Sequence, residues 1–146
     1  MAGSETAVEA ARRYIIKRPR LTRLLDNANA RVLMLVAPAG FGKTTLAREV
    51  SRAQNGRYFD LEDPECPLRP ESAGLMLRSL KGLVVMDEFQ RMPQLFNLLR
   101  ALADRRPLPA RFLILGSASP DLVKGVSESL AGRVAYIPMG GFNLDE

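Results

Sequence analysis

The sequence predicts an α/β fold in which parallel strands form one open sheet with helices on both faces. Three observations carry that expectation. Short β-rich runs recur along the chain and are apolar almost throughout instead of alternating, as strands covered on both faces are. Stretches with helical apolar spacing lie between those runs. The crossovers are roughly 15 to 25 residues long, which suits right-handed βαβ connections, and such sheets take ligands at the carboxyl ends of their strands.

The elements follow in order. "PRLTRLLDNANA" places Leu21, Leu24, Leu25 and Ala28 on one helical face, so residues 1–30 read as a helical lead-in that docks on a core of 31–146. "RVLMLVA" (31–37) is the first strand, and Leu46, Val50 and Ala53 give the helix after it an apolar stripe. "YFDL" (58–61) is a second strand, followed by a helix marked by Ala73, Met76, Leu77 and Leu80. "LVVM" (83–86) is the third. Met92-Pro93 then reads as a helix start, because proline at the first helical position gives up an N–H that would be unpaired anyway, with Leu95, Leu98, Leu99 and Leu102 on the buried face. "RFLIL" (111–115) is the fourth strand. Ser119 caps a helix beginning at Pro120 and striped by Leu122, Val126 and Leu130, and "VAYI" (134–137) is the fifth strand.

Composition narrows the chemistry. A chain of 146 residues is the size of one domain, with no internal repeat or low-complexity linker. No apolar run approaches the roughly 18 residues that cross a bilayer, and "MAGSETAVEAARR" has neither part of a secretory signal. The expectation is a soluble, cytoplasmic protein without a membrane partner. Cys66 is the single cysteine and histidine is absent, which excludes disulfides, Cys/His zinc sites and a histidine base. Any hydrolysis must run on carboxylates, Lys, Arg, hydroxyls and a hard metal. The net charge of +5 is modest, and the densest basic cluster, "ARRYIIKRPRLTR" (11–23), lacks interleaved aromatics for base stacking. Nucleic-acid contact stays an open alternative, to be recognised by affinity that falls steeply with salt.

"APAGFGKTT" (37–45) joins the first strand to its helix. A phosphate chain needs many donors aimed at one point, and a loop wrapping into a helix N-terminus supplies them from successive backbone N–H groups and the helix dipole. Gly40 and Gly42 permit the close wrapping of Pro38, Ala39 and Phe41 around the phosphates. Lys43 then reaches the β and γ phosphates, the Thr44 hydroxyl can ligate Mg²⁺, and Thr45 would contact the α phosphate. The pattern G-x-x-x-x-G-K-[ST] is met except at its first position, where Ala37 stands for Gly. "LVVMDE" places Asp87 and Glu88 at the end of a buried strand, where two carboxylates are costly unless they face a cation. Mg²⁺ held by Thr44 and through Asp87, often by way of water, resolves that cost, and Glu88 is left to orient or deprotonate the attacking water. "RFLILGSAS" ends its strand in hydroxyls, so that Ser117, or else Ser119, could bond that water or the γ phosphate. Arg133 precedes the last strand, and reads equally as a solvent-facing residue or as a finger acting on a neighbour's nucleotide.

These residues resemble the additional-strand P-loop ATPases of the AAA-like and STAND type. "RPRLTRLLDNANARVLMLVAPAGFGKTTL" is similar to the nucleotide-binding start of LuxR-type STAND regulators. "YFDLEDP", "LKGLVVMDEFQRMPQLFNLLRALADRR", "ARFLILGSASPDLV" and "SLAGRVAYIPMGGF" resemble a bacterial and archaeal AAA-type family whose full-length members continue into a nuclease-like domain. The resemblance implies a three-layer core with a five-stranded parallel sheet in the order 5-1-4-3-2 and ATP hydrolysis. It gives Lys43 and Thr44 the phosphate and metal roles, Asp87 the metal, Glu88 the water and Ser117 the γ phosphate. Such proteins carry a helical lid after the fifth strand. "GGFNLDE" ends the chain there, so the expectation is a lidless core, excised, chimeric or reconstructed, with slow turnover or bare binding. No N-K-x-D segment reads guanine, which favours ATP or ADP with Mg²⁺. The alternatives are a nucleotide-binding switch with negligible turnover and, less favoured, a small-molecule or nucleotide kinase. Self-association is an open expectation, and Ile16, Arg18 and Pro19 of the lead-in would flank the adenine.

Overall fold

The structure is a computed structural model that describes residues 29–37, 42–107 and 109–138, with Arg23. The lead-in, including Ile16, Arg18 and Pro19, falls almost wholly outside the described residues, as do Pro38, Ala39, Gly40 and Phe41.

Strands β1 (Val32–Ala37), β2 (Arg57–Asp60), β3 (Gly82–Asp87), β4 (Ala110–Ser117) and β5 (Val134–Pro138) form one five-stranded sheet in the order β2-β3-β4-β1-β5. Every pairing is parallel, and the order is the expected one read from its other edge. The apolar runs have their physical cause in two-sided burial. Val32, Met34, Val84, Met86, Phe112 and Ile114 face a core shared with α2 (Ala73–Ser79), α3 (Leu95–Ala103) and α4 (Pro120–Ser129). Leu33, Leu35, Val85, Leu113 and Leu115 face the opposite way, toward Leu46, Ala47 and Val50 of α1 (Lys43–Ala53). Each such side chain contributes roughly 1.5–3 kcal/mol on burial.

Local signals set the ends of the helices. α1 stops at a left-handed Asn55, with Gly56 N–H bonded to the Ser51 carbonyl at 2.7 Å and Asn55 N–H to that of Arg52 at 3.3 Å. This paired closure satisfies the last carbonyls and turns the chain into β2. Ser119 caps α4, its Oγ accepting from Leu122 N–H at 3.3 Å, with Pro120 at the first turn as expected. The Met92-Pro93 start is corrected: a 3₁₀ turn at Phe89–Arg91 comes first, and the helix proper begins at Leu95. Buried Phe89 anchors that turn, its ring 5.1 Å from that of Phe96, and Leu95 N–H bonds to the Met92 carbonyl at 3.1 Å, so the chain turns twice before it becomes helical. No described helix is long and apolar enough to cross a membrane.

Candidate functional site

Three neighbouring strands end along one edge of the sheet. β4 closes at Ser117, in register with Ala37 at the end of β1, and β3 closes at Asp87 on the other side of β4. Beyond β1 the chain re-enters the described residues at Gly42, which precedes α1 with φ 80° and ψ 21°. A Cβ there would meet nothing within 4 Å, so the demand for glycine is conformational and not steric. α1 therefore starts directly at this edge, with the N–H groups of its first turn and the positive end of its dipole. Lys43, its first residue, folds back so that its ammonium donates to the Ala37 carbonyl. Thr44 is half-buried beside it, while Thr45 is exposed on the same first turn.

Asp87 is only 3% exposed, and its carboxylate is surrounded by donors. Oδ2 accepts from Thr44 Oγ1 at 2.7 Å and from the Tyr58 hydroxyl, while Oδ1 accepts from Glu88 N–H at 2.8 Å. Burial holds the Tyr58 phenol well above its ordinary titration range, and the hydrogen bond to Asp87 and its charge add to this against the opposing Arg48. The phenol is thus a donor at neutral pH. The Arg48 guanidinium lies 5.1 Å from the centre of the Tyr58 ring. An open cleft of about 630 Å³ lies beside Tyr58, lined also by Arg48, Arg52 and Asn55.

Glu88 adopts φ 56° and ψ 46°, a left-handed conformation that costs a residue with a Cβ about 1–2 kcal/mol. That turn aims its own N–H at Asp87. Glu88 Oε2 accepts from Gln90 Nε2 at 2.5 Å, and because a carboxylate only accepts, the amide nitrogen must be the atom facing it. Gln90 Oε1 is then buried and has no hydrogen-bond partner among the described residues. It packs toward Gly116, where a Cβ would lie 3.0 Å from it and 2.3 Å from Leu122 Cδ2. A side chain at Gly116 would displace the ends of both the Leu122 and Gln90 side chains.

The structure thus brings Lys43, Thr44, Asp87, Glu88 and Ser117 to one edge. It does not bring Arg133 there. Arg133 sits before β5, at the opposite end of the sheet, with Nε and one terminal nitrogen on Asp104 at 2.7 and 2.9 Å. Ser119, the other hydroxyl considered for the water, is engaged as the α4 cap. Sequence reading missed Tyr58 and Gln90. Period two on β2 places Tyr58 on the same face as Asp60, which is registered with Asp87, so the register of the two strands locates it. Among the described residues no three His, Cys, Asp or Glu side chains gather as metal ligands. Thr44 and Asp87 instead offer two hard oxygens 2.7 Å apart, a set that suits Mg²⁺, which keeps several of its own waters.

The sequence model of a family described as AAA domain matches residues 29–146. Uncharacterized proteins of Mycobacterium bovis and Mycobacterium tuberculosis are each 49% identical over 125 residues, 86% of this chain. The chain spans 28% of the length of these curated relatives. A Walker-type ATPase of Pyrococcus abyssi superposes with a TM-score of 0.63 at 17% identity, over 92% of this chain and 56% of that one. The P-loop NTPase domain of a sigma-54 transport activator from E. coli gives 0.50 at 14%, over 84% and 98%. At these identities the likeness to the solved structures is one of fold.

Proposed function

The chain belongs to the AAA domain family and has a P-loop NTPase-like fold, and on that premise we propose that it binds ATP with Mg²⁺ and hydrolyses it. The observation that carries the reading is the 2.7 Å bond from Thr44 to Asp87, which ties the start of α1 to the end of β3 at the edge where the loop after β1 meets the helix. The loop from Pro38 to Gly42 and the first N–H groups of α1 would wrap the phosphates, with Lys43 on the β and γ groups and Thr45 near the α group. Thr44 and Asp87 would hold Mg²⁺, which supplies charge neutralisation across the β and γ phosphates. Glu88 takes the proton of a water whose oxygen forms a bond to the γ phosphorus as the bond to the β–γ bridging oxygen breaks, giving ADP and inorganic phosphate. Ser117 would steady the γ phosphate. Arg133 has a part in this scheme only across a boundary between subunits.

A second reading, a nucleotide-binding switch with negligible turnover, is favoured by one contact. Gln90 donates to Glu88 Oε2 at 2.5 Å, so one of the two oxygens that could take a proton from water is already engaged. Phosphate release from excess Mg·ATP separates the two. Glu88→Gln should slow release by about 10²–10⁴-fold and keep the affinity for a fluorescent ATP analogue. Equal release by both proteins removes Glu88 from the chemistry, and no release by either leaves the switch.

A further inference from the structure

We propose that Tyr58 is a positioning residue for the divalent cation: its hydroxyl, bonded to Asp87 Oδ2 beside that of Thr44, holds the carboxylate so that Oδ1 is the oxygen left for the ion and its waters. The inference rests on the Mg·ATP reading above and adds a residue to it.

The geometry is a closed circuit of four side chains. Thr44 and Arg48 stand four residues apart on α1 and so share a face of that helix. Thr44 reaches Asp87, Asp87 accepts from Tyr58, and the Tyr58 ring lies 5.1 Å from the Arg48 guanidinium, which returns the circuit to α1. Tyr58 is in register with Val85, two residues and about 6.6 Å of strand rise below Asp87. The length of a phenol spans that offset. A shorter hydroxyl residue at position 58 could not, and a residue one position away would face the other side of the sheet.

The consequence follows from counting acceptors. An ionised carboxylate has about four acceptor sites. Thr44 and Tyr58 occupy Oδ2 and Glu88 N–H takes one site of Oδ1, so at most one site is left. Direct metal coordination through Oδ2 would displace a buried hydroxyl from its bond. Mg²⁺ sheds its own waters reluctantly, so one of those waters donating to Oδ1 is the arrangement this carboxylate accommodates. The Arg48 guanidinium against the ring restricts its rotation and keeps the hydroxyl on Asp87.

The chain has no tryptophan and three tyrosines, at positions 14, 58 and 136, so Tyr58 can report on Asp87 directly. A phenol bonded to a carboxylate has its emission quenched, because the excited hydroxyl gives up its proton to that acceptor. A metal-bound water competing for the Asp87 charge should relieve the quenching. In a Tyr14→Phe/Tyr136→Phe protein, which keeps Tyr58 alone, adding Mg²⁺ in the presence of ATP should raise tyrosine emission. In Tyr58→Phe the Mg²⁺ concentration for half-saturation should rise about tenfold, while affinity for mant-ATP in EDTA stays as in wild type. Wild-type half-saturation in Tyr58→Phe, or flat emission from a sole-tyrosine protein that binds mant-ATP in a Mg²⁺-dependent way, overturns the proposal alone. If Tyr58→Phe does not fold, the emission measurement decides by itself. Failure of the wild type to bind mant-ATP at all removes the underlying reading, and the proposal with it.

Discussion

The two ends of the sheet handle charge differently. At the amino end, Asp104 after α3 takes a two-pronged bond from Arg133 before β5, and Arg31 before β1 stands 3.5 Å from the same carboxylate. Arg31 also donates to the Ala103 carbonyl at 2.8 Å, and Arg133 to that of Ala131 at 2.8 Å. These charges are matched by the fold itself and tie three elements together. At the carboxyl end, the buried Asp87 accepts from a threonine, a tyrosine and an amide, all neutral donors, and the adjacent Glu88 is held in a left-handed turn. Neutral donors stabilise a buried carboxylate less than a cation does. The difference separates a charge cluster paired within the fold from the one at which the proposed Mg·ATP site lies.

The largest expected effect tests the carboxyl end as a polyanion site. Lys43→Ala removes the ammonium that stands over the Ala37 carbonyl at the start of α1. Affinity for Mg·ATP by calorimetry should fall by about a hundredfold or more, as loss of a charge-assisted contact at an enclosed phosphate requires. The melting temperature without nucleotide should move little. Unchanged affinity would erase the contrast between the two ends.

A smaller effect sharpens the same contrast through packing. Gly116→Ala would force a methyl to 2.3 Å from Leu122 Cδ2 and 3.0 Å from Gln90 Oε1. Leu122 is buried and the end of its side chain would have to shift within the core, a cost of about 1–3 kcal/mol in urea unfolding. Because Gln90 is bonded to Glu88, the displacement should also change phosphate release. A stability loss with wild-type turnover would mean that Gln90 does not hold Glu88 in place during the reaction.

Much of this was legible in the chain, and the exceptions share a cause. Each strand was recognisable from its own apolar run, and the αL glycine at Gly42, the Ser119 cap and the Asp87–Glu88 pair could all be read from a few neighbouring residues. Thr44 and Asp87 were expected to meet because each has a role toward the same ion. Tyr58 escaped because its partner is 29 residues away, and although strands 2 and 3 were expected as neighbours, the register that sets Tyr58 two residues below Asp87 is written in neither strand. Gln90 escaped because it lies in a 3₁₀ turn, Phe89–Arg91, ahead of the expected helix start, in a stretch to which no element was assigned. The position of Arg133 follows from direction alone: a residue entering a parallel strand stands at the end opposite a loop that leaves one.

The smallest effect belongs to the amino end. The hydrogen bond from Arg133 lowers the Asp104 titration below its ordinary value; burial opposes it, and the charges of Arg133, Arg31 and Arg100 add to the lowering. A depressed carboxylate contributes stability that is present above its unfolded pKa and is lost as pH falls through the folded one. Asp104→Asn should therefore be slightly less stable than wild type at neutral pH. The gap should close as the pH drops below about 4, where aspartate in the unfolded chain becomes protonated. Arg133 stays charged throughout and adds no pH dependence of its own in that window. Affinity for Mg·ATP at neutral pH should be that of wild type, since this cluster lies at the far end of every strand from Thr44 and Asp87. The comparison breaks if Arg133→Ala lowers phosphate release in proportion to protein concentration while melting is unchanged, for then the matched end of one copy acts at the open end of another.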